Sequence, residues 1–279
     1  MSAEPVETPA EYWRASLAAW AIPPAILDAA PESPWQLRPH QFAARADHVL
    51  RRGVTTVSQR RALEALPEGG SVLDVGAGAG AASLPLLTRA SRLTAVDGDA
   101  GMIHELRARV PSNIELTVVE GRWPDAANEV GPADVVVCNH VAYNVPNLDE
   151  FVAALTEKAR HRVVMEVTAV HPRANQNFLW PIFHGIERPE RPVAGDAVAV
   201  VRATGVDPRA EEWAGPELLM ASDELRDLVA AVRRYLCLGA ERDPEIAGAL
   251  EGHLVRRNGL VGFAPVPRVT IWWDAAGPA

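Results

Sequence analysis

The sequence predicts an open α/β domain built on a mostly parallel sheet. From Ser71 onward, five short β-rich runs (SVLDVG, RLTAVD, IELTVVE, DVVVCN and RVVMEV) alternate with helix-like segments. That alternation marks strands joined by crossover helices. The runs are also uniformly apolar, as strands buried on both faces are. With 279 residues, 48% hydrophobic and 23% charged, the chain can bury a substantial core, either as one large domain or as a domain with an appended cap.

The first residues read as helices without strands. Trp13, Leu17 and Trp20 fall at i, i+4 and i+7, one helical face, before Pro23 and Pro24 end the helix. Pro39 fits the first turn of a second helix stopped by Gly53, and a third covers about residues 55–66. Residues 1–54 are therefore expected to form a helical cap on a main domain of residues 55–279. Residues 171–195, rich in Pro, Arg and aromatics, read as an irregular or lid-like segment. GDAVAVVRATG is expected to be a helix and PRAEEW a short strand, with a helical insertion over residues 216–262. VTIWWD is a terminal strand whose Trp272 and Trp273 face opposite sides.

The formal net charge of −9 argues against general binding to a phosphate backbone. No window approaches the length of an apolar membrane span, and the N-terminus has no signal-peptide stretch. Neither nucleic acid nor membrane is expected as a partner, and a cytoplasmic location is the default. Cys138 and Cys237 make no disulfide framework or metal site, and no His/Asp/Glu cluster has metal-ligand spacing. Cys138, inside VVVC, reads as a small buried hydrophobe.

Residues 73–80, LDVGAGAG, carry the first chemical signal. Gly76, Gly78 and Gly80 let backbone approach a ligand closely. Asp97 ends the second β-rich run 21 positions after Gly76, where a carboxylate can accept both ribose hydroxyls of an adenosine. A dinucleotide and S-adenosylmethionine both fit this much. Asp74 favours the second, because dinucleotide fingerprints keep that strand position apolar, and the helical segment ahead of the loop could cover a cofactor.

VLDVGAGAG, LTAVDGDAGMI, VVEGRWPDA and ADVVVCNHVAYNVPNLDEF are together similar, in order and spacing, to the class I S-adenosylmethionine-dependent methyltransferases over roughly residues 55–170. The resemblance implies a Rossmann-like seven-stranded sheet of order 3-2-1-4-5-7-6 with the last strand antiparallel. It implies S-adenosylmethionine as cofactor and S-adenosylhomocysteine as product. By the same resemblance Asp74, Gly76, Gly78 and Gly80 form the methionine-side loop, and Asp97 holds the ribose. Gly98, Met102, Gly121, Arg122 and Trp123 would surround the adenine. Pro85 departs from the pattern, since it would interrupt a helix following the glycine loop.

Ligands of open α/β sheets sit at the carboxyl ends of strands, so CNHVAYN is aimed at the methyl group and its acceptor. Asn139 is expected at the methionine part of the cofactor. His140 is the candidate general base, its ordinary pKa of about 6.5 suiting proton removal at neutral pH; the alternative is a pocket-lining role. Tyr143 is the candidate to orient a polar group of the substrate. The stretch lacks the [DNS]-P-P-[YFW] box with which DNA amino-methyltransferases clamp a flipped base. Cys138 likewise lacks the preceding Pro of a cytosine-C5 nucleophile. A small-molecule acceptor and a monomeric or homodimeric enzyme are therefore expected. Glu166, within its strand, reads as structural. His171, Trp180, Phe183 and His184 either wall an acceptor pocket or pack an irregular segment. Two other readings stand: an NAD-dependent oxidoreductase, and a non-catalytic S-adenosylmethionine-binding regulator.

Overall fold

A computed structural model describes residues 7–35, 39–53, 56–215 and 219–275. The expected boundaries at residue 54 and at residue 216 lie outside the described residues. The N-terminal helices are α1 (Pro9–Ala18), α2 (Pro24–Asp28), α3 (Pro39–Arg52) and α4 (Val57–Ala65). Local chemistry explains their ends. Thr8 and Glu11 form a capping box at α1, and Thr56 and Gln59 form another at α4, each satisfying amides that a helix start leaves unpaired. Gly53 follows α3 with φ +67°, a left-handed stop that glycine adopts without penalty.

The sheet strands follow as β1 (Gly70–Val75), β2 (Ala90–Asp97), β3 (Glu115–Glu120), β4 (Ala133–Asn139) and β5 (Ala159–Thr168). Helices α5 (Ala100–Arg107) and α6 (Leu148–Lys158) supply two of the crossovers. After β5 come α7 (Leu179–His184), α8 (Ala194–Ala203) and β6 (Arg209–Trp213). The chain then forms β7 (Leu219–Ser222), α9 (Leu225–Tyr235), α10 (Asp243–Ala249), β8 (Leu254–Arg257), β9 (Leu260–Phe263) and β10 (Arg268–Asp274).

Seven strands make one sheet of order β3-β2-β1-β4-β5-β10-β6. β10 pairs antiparallel with both β5 and β6, and the remaining pairs are parallel. This is the expected 3-2-1-4-5-7-6 order, with β10 as the reversed strand. Each face is covered. Leu73, Val136 and Trp273 pack under α6, α8 and Trp13 of α1, while Val72, Val135, Val164 and Trp272 pack with Ala62 and Leu66 near α4 and with Leu86 and Leu106. Trp272 and Trp273 thus face opposite sides.

Three expectations are corrected. Pro85 has no full helix to interrupt, because the β1–β2 connection contracts to a 3₁₀ turn, Leu84–Thr88, with Pro85 in its first turn, where no amide is needed. The insertion is not purely helical: β7, β9 and β8 form a three-stranded antiparallel sheet beside α9 and α10. Asn258 and Gly259, with φ +52° and +81°, make the tight turn between β8 and β9, as Asn-Gly pairs do in hairpins. Residues 171–195 are no loose lid. Leu179 and Trp180 are completely buried, in a separate core shared with Leu228, Val232, Tyr235, Ile246 and Phe263.

Candidate functional site

The glycine loop leaves β1 at its carboxyl end. Gly76, Gly78 and Gly80 all have positive φ, and the Gly76 and Ala77 amides both donate to the Val96 carbonyl of β2. A Cβ on Gly76 would overlap Val141 Cγ2, and one on Gly80 would lie 2.8 Å from Leu84 Cγ. Both glycines therefore let neighbouring chain close on the loop. At Gly78 nothing lies within 4 Å of an added Cβ, so this glycine borders open space on the ligand side.

Asp97 closes the same turn. Its Oδ2 accepts from the Gly78 amide at 2.7 Å and its Oδ1 from the Asp99 amide at 3.0 Å, leaving lone pairs for further donors. Asp74 has a different setting. It is fully buried beneath the loop, and burial, reinforced by the charge of Asp97, pushes its carboxyl up to about 7 against the opposing pull of Ser83.

The turn after β4 holds a dense polar cluster. His140 has φ +62°, an uncommon conformation for a residue with a side chain, and its amide donates to the Glu166 carbonyl of β5 at 2.7 Å. Its Nε2 lies 3.0 Å from Arg45 Nη2, 3.0 Å from Glu166 Oε1 and in close contact with Arg268 Nη1. Guanidinium groups only donate. Two of these three contacts therefore place a lone pair on Nε2, and one would place a proton there. Burial lowers the His140 pKa to about 4, with Arg45 and Arg268 acting in the same direction. The imidazole is neutral at pH 7. Burial alone would raise the Glu166 carboxyl; the adjoining His140 ring, the charge of Arg268 and the Ser58 hydroxyl outweigh it and hold it well below the ordinary range. Arg268 Nη1 donates to Glu166 Oε1 at 3.1 Å, and Ser58 Oγ donates to Oε2 at 2.6 Å.

Loop, Asp97 and cluster open onto one cavity of about 310 Å³, lined by Gly76, Ala77, Gly78, Asp97, Met102, Asn139, His140 and Glu166. Phe42, Arg45 and Val49 of α3 form its roof, and Trp213 and Arg268 close its far side. α3 is held over the loop by Ala46, which packs on Ala79 and Leu84. A bidentate contact from Arg109 to Asp47, at 2.7 and 3.1 Å, ties it to the chain just after α5.

Several expected residues lie elsewhere. Tyr143 is buried, with its ring stacked on Trp13 at 5.6 Å and its hydroxyl donated to the Thr168 carbonyl at 2.9 Å. It faces the core and cannot orient a ligand. Trp123 is partly buried against the same core, with Nε1 donating to the Phe151 carbonyl at 3.3 Å, and is not among the residues lining the cavity. Gly98, Gly121 and Arg122 stay at the carboxyl ends of β2 and β3, with the Arg122 stem against Gly98, beside the cavity rather than on its wall. His171, Trp180, Phe183 and His184 also stay off the cavity, among the packing of the 171–195 segment.

Arg45, Trp213 and Arg268 were not expected at the site, and Glu166 was expected to be structural. A signal existed for Trp213 and Arg268. Because β10 runs antiparallel, its first residue pairs with Thr168 of β5 and Trp213 of β6, which brings both side chains to the ligand edge of the sheet. Glu166 was signalled by being a carboxylate inside an otherwise apolar strand.

Residues 72–162 match a family model described as "Methyltransferase domain". No curated protein matches the sequence. Among solved structures, the chain is similar to the YcgJ protein of Bacillus subtilis, at 15% identity over 79% of this chain and 99% of that one, with a TM-score of 0.51. It is also similar to BH2331 of Bacillus halodurans C-125, at 12% identity over 82% and 98%, with a TM-score of 0.50. Magnesium protoporphyrin IX methyltransferase of Synechocystis PCC 6803, with bound S-adenosylhomocysteine, aligns at 12% identity over 85% and 83%, with a TM-score of 0.46.

Proposed function

We propose that this chain, whose residues 72–162 match a methyltransferase-domain model, is a class I S-adenosylmethionine-dependent methyltransferase that methylates a small-molecule acceptor held against His140 beneath α3. One observation carries the reading: the glycine loop, Asp97 and the His140 cluster share a single roofed cavity. The cofactor fits the residues present. Gly78 leaves open space where a side chain would intrude, Asp97 keeps acceptor capacity for ribose hydroxyls, and Met102 offers an apolar, polarisable contact. S-adenosylmethionine brings an already activated methyl group, so the chain's task is alignment. Holding acceptor and donor in line can lower the barrier by several kcal/mol (about 7–11 in the best-oriented systems). α3 helps by keeping water out.

His140 serves this reading as a neutral hydrogen-bonding wall. Its Nε2 lone pair is taken up by Arg45 and Arg268, and its depressed pKa makes it a weak base. Glu166 at 3.0 Å favours a second reading, in which acceptor binding draws the guanidiniums away and His140 accepts the acceptor's proton. His140→Asn separates them: loss of a general base costs about 10²–10⁴-fold in turnover, loss of a wall much less, with cofactor affinity kept in both. The function itself is tested by calorimetry with S-adenosylhomocysteine and NAD, followed by mass-spectrometric search for methylated products in a small-metabolite extract. Micromolar-range S-adenosylhomocysteine binding and a product 14 mass units heavier (about one CH₂) are expected. NAD binding alone would establish the oxidoreductase reading, and cofactor binding without any product would favour a regulator.

A further inference from the structure

Two arginines outside the cavity, Arg173 partly buried and Arg188 buried, lack a counter-charge among the described residues. The Arg173 guanidinium carbon sits 4.4 Å from the centroid of the Tyr235 ring, and that of Arg188 sits 4.5 Å from the centroid of Trp180. Trp180 and Tyr235 touch edge to face with centroids 5.5 Å apart, so the two guanidiniums flank one aromatic pair. Among the described residues neither has a carboxylate within ion-pair distance. Arg188 donates to the Trp20 and Ala21 carbonyls, while its buried Nε finds no acceptor. Arg173 Nη1 meets only the Met220 sulfur, at 3.9 Å, and the Gln176 amide reaches the same sulfur at 2.9 Å. A thioether is a weak acceptor. The buried indole N–H of Trp180 has no partner of normal hydrogen-bond geometry, and it and Arg188 both lean on the Tyr235 hydroxyl.

Burying a cation without a counter-charge is costly, and here two such cations sit around one aromatic pair. Unsatisfied buried donors in such a group mark a missing ligand more readily than a packing accident. A guanidinium that packs on an aromatic ring and lacks a carboxylate partner can still take a planar oxyanion bidentately through its N–H groups. We infer that the junction between residues 173–188 and α9 binds a small oxyanion, a carboxylate or phosphate group. Met220, whose flexible side chain now faces Arg173 and Gln176, moves aside to admit it. The site ties the segment after β5 to the insertion, and it stands independently of the methyl-transfer reading.

Thermal denaturation of the full chain in sodium phosphate, sodium succinate and sodium chloride of matched ionic strength tests it, with and without S-adenosylhomocysteine. Phosphate or succinate is expected to raise the melting temperature saturably beyond chloride, in both the presence and absence of S-adenosylhomocysteine; the salt that does so distinguishes the two oxyanion classes. Arg173→Gln should weaken that response at least about tenfold, the loss of a charge-assisted bidentate contact. Arg107→Gln, on exposed surface, should leave it unchanged. An Arg173→Gln response equal to wild type, or no oxyanion effect beyond chloride, overturns the inference. If Arg173→Gln does not fold, Arg173→Lys decides: a weakened response is expected because lysine lacks the fork, and an unchanged one refutes the site.

Discussion

Alanine substitution at two glycines of the loop should affect stability and binding to different degrees. Gly78 and Gly76 share a left-handed backbone, with φ +53° and +69°, and placing a Cβ there costs about 1–2 kcal/mol. For Gly78→Ala that is the whole stability cost, since no atom lies within 4 Å of the new methyl. The melting temperature should fall by roughly 2–8 °C at about 2–4 °C per kcal/mol. The methyl would occupy space on the ligand side of the loop, so the Kd for S-adenosylhomocysteine should rise at least about tenfold, or about 1.4 kcal/mol. For Gly76→Ala the methyl overlaps Val141 instead. Overpacking adds about 1–3 kcal/mol, and the strain falls on the residue next to His140. Gly76→Ala should therefore be the less stable variant. Differential scanning fluorimetry and calorimetry on both variants give the comparison. Wild-type affinity in Gly78→Ala would refute the assignment of this loop to the cofactor.

Three further outcomes follow from the electrostatics. His140 has a pKa of about 4 in the folded chain against about 6.5 unfolded. Its contribution to stability is thus complete above about pH 6.5 and is lost as pH falls toward 4. Urea unfolding across that window should show a slope about 1.4 kcal/mol per pH unit smaller in His140→Asn than in wild type; equal slopes would mean His140 is not held neutral. Asp74, raised to about 7 by burial, loses stability as pH rises from its ordinary value through 7. Asp74→Asn should accordingly gain about 1–4 kcal/mol over wild type at pH 8 relative to pH 5, and a pH-independent difference would contradict that. Glu166→Gln leaves Arg268, 5% exposed at its side chain, as a buried cation without its carboxylate. A loss of about 3 kcal/mol in unfolding free energy is expected; a loss below about 0.5 would show that the pair is not holding the cluster together.

The sheet was legible because its signals are local. Apolar runs, glycines and carboxylates at strand ends each report their own position, and together they place LDVGAGAG and CNHVAYN at one edge. What escaped was mostly brought in from a distance. Arg45 comes from a helix that reads only as amphipathic, and its place over His140 is set by Ala46 packing on Ala79 and by Arg109 gripping Asp47. Tyr143 and Trp123 were misplaced because an aromatic near a strand end can turn inward when a backbone carbonyl satisfies its polar atom, here those of Thr168 and Phe151. The β8–β9 hairpin, by contrast, was readable from Asn258-Gly259 between two apolar runs; helical periodicity extended through it hid the turn.

A crystal structure grown with S-adenosylhomocysteine tests the reading of the cavity most directly. The ligand should lie on the glycine loop beneath α3, with its ribose hydroxyls at Asp97 and its sulfur toward Asn139 and His140. S-adenosylhomocysteine bound elsewhere, or no ligand in the cavity beneath Phe42 and Arg45 at saturating concentration, would contradict it.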